Sequence, residues 1–156
     1  MNLSAFFQTR QGETMQRFNC IIVIHPDGDK LLFCKRVSEP YAGLYNFVGG
    51  KIEQGEDGLA AAYRELFEET GIDAKTIDLV PFMDYVWHLQ NISMQVYCGA
   101  LKREMPLRAE KHPLWWLCLD ENYFDMLRFA GEGNIGHMVE ILKLSQLVTD
   151  KKSRMP

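Results

Sequence analysis

Glu65, Glu68 and Glu69 lie in the run Arg64-Glu65-Leu66-Phe67-Glu68-Glu69-Thr70-Gly71-Ile72. On an α-helix, residues three and four apart share a face, so the three carboxylates would crowd one stripe. Like charges at this spacing disfavour a helix by about 0.2–0.5 kcal/mol per pair. A hard divalent cation such as Mg²⁺, which takes oxygen ligands, relieves that repulsion. An exposed helix with a solvated acidic face would read the same from Glu-x-x-Glu-Glu alone.

The residues upstream decide between the two. After Gly50 come five residues and Glu56, then seven residues and Arg64-Glu65-Leu66. One further residue precedes Glu68-Glu69, and one more precedes Gly71-Ile72. Seven of these positions demand a single residue type; at roughly 5–7% usage per type, a chance match in a chain this long is on the order of one in ten million. The run resembles, position for position, the signature of the Nudix hydrolases. The resemblance implies an α/β fold, the Nudix α/β/α sandwich with a mixed central sheet between helices. It implies hydrolysis of a phosphoanhydride in a nucleoside diphosphate linked to a further group. Glu65, Glu68 and Glu69, with the backbone carbonyl of Gly50, would hold Mg²⁺, for which Mn²⁺ is a substitute. Glu65 would also orient or deprotonate the attacking water. Arg64 would pair with a carboxylate of the metal face, Glu56 would tie the loop to the helix, and Gly71 would close the helix. Relatives often carry a further acid before the last strand as base or extra ligand; Glu110 occupies that place, with Glu104 a weaker competitor and Glu53 an acid near the box.

The elements that must position these groups are legible from periodicity. Leu59, Ala62, Tyr63, Leu66, Phe67 and Thr70 form an apolar arc opposite the acids. Asp57 and Gly58 precede the helix, where an acid suits the positive end of the dipole. Residues 20–25 and 30–36 read as paired strands around the turn Pro26-Asp27-Gly28-Asp29. A short strand over 44–48 leads into Gly49-Gly50. Residues 79–89 and 93–101 read as a long hairpin, 114–119 as a last buried strand and 134–148 as an amphipathic helix with Asn134 as a candidate N-cap. Residues 1–16 are expected to be an arm, 17–150 the single domain and 151–156 a tail; Met15 is an alternative start.

Composition fits one domain: 156 residues, 47% apolar and a net charge of −4. That charge gives no basic surface for duplex nucleic acid or an anionic membrane. No apolar run is long enough to span a bilayer, and the first ten residues do not read as a signal peptide. Cys20, Cys34, Cys98 and Cys118 stand singly among apolar residues, as buried free thiols of a reducing cytoplasm do.

The expected partner is a small nucleotide, bound by a monomer or homodimer. Lys35 and Arg36 can touch phosphate from a strand end. Tyr85, Trp87, Trp115, Trp116 and Phe124 can stack on a base or fill the core. Asn122 can read a purine edge or simply form a turn. Residues 129–137 can rim the cleft, and His112 is an acid/base candidate or a surface histidine. The compact length and the entry Gly49-Gly50-Lys51-Ile52-Glu53 resemble the MutT-like branch, whose substrates are (deoxy)nucleoside triphosphates, including oxidised purines such as 8-oxo-dGTP. ADP-ribose, nucleotide sugars and dinucleoside polyphosphates are alternative substrates. A non-catalytic nucleotide sensor and an isopentenyl diphosphate isomerase with a catalytic cysteine are alternatives of another class.

Overall fold

A computed structural model describes residues 14–148. Most of the expected arm and all of the expected tail lie outside that span. In chain order the elements are β1 (Gln16–Ile24), β2 (Lys30–Lys35), β3 (Tyr45–Asn46), α1 (Gly58–Thr70), β4 (Val80–Trp87), a 3₁₀ turn (His88–Gln90), β5 (Ile92–Ala100), β6 (Leu114–Cys118) and α2 (Asn134–Leu144).

The six strands form one mixed sheet. β1 pairs in parallel with β5 over nine residues, from Gln16 opposite Ile92 to Ile24 opposite Ala100. β4 and β5 form the expected hairpin, with an irregularity between Pro81 and Met83. Side chains of a strand alternate between faces, and β1 divides accordingly. Cys20, Ile22 and Ile24 pack with Ile135, Met138, Val139 and Leu142 of α2. Ile21 and Val23 pack with Ala62 and Leu66 of α1 on the other side. The sheet is thus sandwiched between two helices, as expected.

The β1–β2 hairpin is the main departure. The two strands pair only at Ile24 and Leu31. Beyond that point the edge of β2 facing β1 is taken by β3, at Cys34–Asn46 and Lys35–Tyr45, because the opposite edge of β2 is filled by β6 from Lys30 to Cys34. The following segment then bridges to β1, Val48 to Ile21 and Lys51 to Phe18. Residues 45–51 therefore fill a wedge where the sheet splays, and Gly49-Gly50 sits in that wedge. The expected strand over 44–48 shrinks to two residues for the same reason: its hydrogen bonds are shared between two diverging neighbours.

Helix α1 is capped by Asp57, whose carboxylate accepts from the Ala60 N–H at 3.0 Å. Gly71 ends it at φ 78°, donating its N–H to Phe67 O at 2.9 Å; this left-handed conformation suits glycine. The buried face is Gly58, Ala61, Ala62, Leu66 and Thr70. Phe67, expected in the core arc, is 49% exposed, because these small residues make the buried arc narrow. Helix α2 starts after Gly133, so Asn134 is its first residue rather than its cap, and it ends at Leu144 rather than near 148. Cys20, Cys34 and Cys98 are buried free thiols, as expected, but Cys118 is exposed at the end of the outer strand β6.

Candidate active site

Arg64 organises the acidic face. Its Nε and Nη2 donate to Glu56 at 2.8 and 3.0 Å, and its Nη1 to Glu65 at 2.7 Å and Glu68 at 3.4 Å. Nη2 also reaches the Lys51 carbonyl at 3.2 Å. One guanidinium thus ties the loop to the helix through Glu56, which also accepts from the Glu53 N–H. Hydrogen bonding by Arg64 holds the Glu56 carboxyl down at about 2. The same planar fork fixes the Glu65 carboxylate, which a lysine could not do.

Glu65 and Glu69 are half-buried and Glu68 is exposed. Burial raises the proton affinity of Glu65 despite Arg64. Burial pushes the Glu69 carboxyl up to about 7, against the pull of the Gly49 N–H, which donates to it at 3.0 Å. A half-buried carboxylate whose charge is poorly compensated fits a bound cation. Gly50 lies against the same carboxylate face. A Cβ there would stand 2.5 Å from the Glu65 carboxylate, so only glycine lets this backbone come so close. Its carbonyl accepts from the Asn19 N–H at 2.8 Å and keeps a second lone pair. Three carboxylates and a carbonyl are an oxygen set suited to a hard divalent ion.

Glu110 comes to this face from the loop before β6. Its N–H donates to Glu69 O at 3.4 Å, and its charge adds to the raised proton affinity of Glu69. Glu69, Glu110, His112 and Cys34 share a small cavity of about 70 Å³. His112 Nδ1 accepts from the Val37 N–H at 3.1 Å, and burial and the nearby Arg36 and Lys111 charges lower its proton affinity. Glu104 is elsewhere, 3.7 Å from His25 Nε2 past the β1–β2 turn. His25, Asp27 and Asp29 in that turn have ligand atoms within 4.8 Å of one another. His25 Nδ1 there already accepts from the Asp27 N–H.

A larger cavity of about 320 Å³ opens from Gly49, Gly50 and Glu69 and continues between β4, β5 and α2. Its walls carry Phe18, Tyr41, Phe47, Tyr85 and Trp87, with Arg36 beside them. Gly131, Asn134 and Ile135, from the expected rim segment, line it too. Lys35 does not: it is exposed, its ammonium 5.4 Å from the centre of the Tyr45 ring. Asn122 spends its Oδ1 on the Phe124 N–H at 3.3 Å, a local turn. Trp115 is 50% exposed, while Trp116 packs edge-on against His25 and toward α1. Phe124 packs on His137. Asn19 and Asn46, both in the cavity wall, are not among the candidates that the sequence singles out. Their signal was a polar residue set between aromatic and apolar neighbours, Phe18-Asn19-Cys20 and Tyr45-Asn46-Phe47.

Residues 15–135 match the family model of the NUDIX domain. The chain belongs to the Nudix family. Nudix proteins generally use divalent metal cations. The RNA pyrophosphohydrolase of Psychrobacter cryohalolentis is 26% identical over 122 residues, which are 78% of this chain and 61% of that relative. The chain thus spans under two thirds of that protein. The 8-oxo-dGTP diphosphatase of Escherichia coli is 28% identical over 98 residues, 62% of this chain and 76% of that one. Among solved structures, the dihydroneopterin triphosphate pyrophosphohydrolase of E. coli superposes with a TM-score of 0.64 at 19% identity, covering 83% of this chain and 96% of that one. At that identity the likeness is one of fold. No described helix is long and apolar enough to cross a membrane.

Proposed function

We propose that this Nudix protein is a Mg²⁺-dependent pyrophosphohydrolase of (deoxy)nucleoside triphosphates, oxidised purines such as 8-oxo-dGTP foremost, giving a monophosphate and pyrophosphate. The observation that carries the reading is the position of Glu69. It belongs at once to the acidic stripe and to the wall of the aromatic cavity. A nucleotide with its base among Phe18, Tyr85 and Trp87 would lay its phosphates along the glutamates.

Glu65, Glu68, Glu69 and the Gly50 carbonyl would hold Mg²⁺. A bound divalent ion neutralises phosphate charge and acidifies a coordinated water. Glu65 is assigned the proton-accepting role, because burial raises its proton affinity while Arg64 fixes its orientation. Glu110, next to Glu69, is assigned as a further base or an extra metal ligand. Arg36 supplies positive charge to the substrate phosphates. The buried thiols of Cys20 and Cys34, pushed up to about 12, are poor nucleophiles, which argues against the isomerase alternative.

The relative that is an RNA pyrophosphohydrolase favours a second reading, a triphosphate at the 5′ end of an RNA. A panel of nucleoside triphosphates, 8-oxo-dGTP, ADP-ribose, nucleotide sugars, dinucleoside polyphosphates and a triphosphorylated oligonucleotide, run in ¹⁸O-labelled water, separates these. The expected result is strongest turnover of a free triphosphate, with monophosphate and pyrophosphate as products. Turnover confined to the oligonucleotide would select the second reading.

A further inference from the structure

Asn19 is a polar residue in the otherwise apolar middle of β1 and is only 4% exposed. Its Oδ1 accepts from the Gly50 N–H at 3.0 Å. That bond fixes the amide, because a flipped carboxamide would set its NH₂ against the Gly50 N–H. Nδ2 is left as a buried donor without a hydrogen-bond partner. Buried donors are seldom left unpaired, and one beside a site calls for a ligand.

Arg36 repeats the pattern: its Nε is also buried without a partner. Both residues line the large cavity together with Gly49, Gly50 and Glu69. Gly49 donates to Glu69, and Gly50 lies against Glu65. Asn19, bonded to Gly50, therefore stands at the carboxylate end of the cavity. Arg36 is near enough to Glu69 for its charge to act on that carboxyl, so both donors stand toward the junction between the acidic platform and the aromatic cavity, which suits anionic oxygen rather than a base edge.

We infer that Asn19 Nδ2 and Arg36 Nε bind the non-bridging oxygens of the substrate phosphate attached to the nucleoside. This rests on a nucleotide occupying the cavity. Asn19 would fix where the nucleoside ends and the metal-bound phosphates begin, while its Oδ1 holds the Gly50 backbone in place.

Equilibrium binding without metal tests the assignment. ¹⁵N-labelled protein in EDTA is titrated with adenosine, guanosine, cytidine and uridine and with their 5′-monophosphates. The Asn19 carboxamide signal is identified by its loss in Asn19→Ala. In the wild type the monophosphates should bind more tightly than the nucleosides, and only they should shift the Asn19 signal. Asn19→Asp keeps the acceptor for Gly50 but replaces the donor with an anionic oxygen. It should weaken monophosphate binding about tenfold and leave nucleoside binding within about twofold; Asn19→Ala should do so more mildly. Equal losses for both ligand sets, or a carboxamide signal that no monophosphate moves, would overturn the inference, leaving water as the partner of Nδ2. Hydrolysis of the triphosphate panel with an unaltered binding ratio would overturn this inference alone. Absence of both binding and hydrolysis would overturn the proposed function with it.

Discussion

The acidic platform and the aromatic cavity meet at Glu69 but are assembled in different ways. The platform comes from one continuous run, Gly49 to Gly71. Its ties are short in sequence: Arg64 to Glu56, Arg64 to Lys51, Glu69 to Gly49. The cavity draws on β1, the segment after β2, the 45–50 wedge, β4, β5 and the start of α2. Local spacing therefore dictates the first region, whereas the second exists only once the sheet has splayed. On the proposed function, the chemistry would rest on one helix and its loop, and recognition on a cavity that only the tertiary fold creates.

That contrast predicts separable effects. The largest is expected at Glu65: Glu65→Gln should lower kcat by about 10³-fold with little change in KM, because it removes charge from the reacting centre. Steady-state kinetics on the best substrate check this. A rise in KM with kcat unchanged would mean that Glu65 only binds. Arg64→Lys should cost about 10–100-fold in activity, since an ammonium cannot hold Glu56 and Glu65 together in one plane; measured Mg²⁺ affinity should fall with it. Trp87→Ala should do the opposite to Glu65→Gln. With one stacking face lost, KM should rise roughly 5–100-fold while kcat stays within about threefold. If Trp87→Ala damages kcat as strongly as KM, platform and cavity are not separable.

The smallest effect concerns stability. The Glu69 carboxyl sits at about 7 in the fold against an ordinary value of 4.5. Between those pH values the folded chain holds a proton that the unfolded chain has released, so unfolding free energy falls as pH rises through the window. The metal-free protein should therefore lose a few degrees of Tm, about 3–6 °C, between pH 5 and 7.5 from this group. Glu69→Gln should flatten that slope, and added Mg²⁺ should offset it in the wild type. Scanning calorimetry with EDTA and with Mg²⁺ measures both.

Platform and cavity differ in the same way in how far the sequence reveals them. The acidic stripe, the capping Asp57 and the terminating Gly71 are legible because each depends on helix periodicity or on order along the chain; the place of Glu110 follows only from the resemblance to the family. The β1–β2 hairpin was legible only as far as its turn; nothing in the strand pattern shows that residues 45–51 will enter between the two strands. Lys35 and Arg36 are adjacent, and alternation sends only Arg36 to the cavity, a choice that depends on which face of β2 meets the wedge. Asn122 looked like Asn19 and Asn46 in sequence, a lone asparagine near aromatics. Its local turn, the burial of Asn19 beside Gly50 and the place of Asn46 in the cavity wall separate them only in three dimensions. Phe67 shows the converse: the period put it on the core arc, but a buried face made of alanine and glycine was too narrow to cover it.

The most direct test of the account is hydrolysis by wild type and Glu69→Gln with Mg²⁺ or EDTA, on 8-oxo-dGTP and the common triphosphates, with products resolved. The account predicts monophosphate and pyrophosphate from the wild type with Mg²⁺ alone, and a loss of about 10²-fold or more in Glu69→Gln at an unchanged fold by circular dichroism. Turnover that survives EDTA, or that is equal in the two proteins, would contradict it.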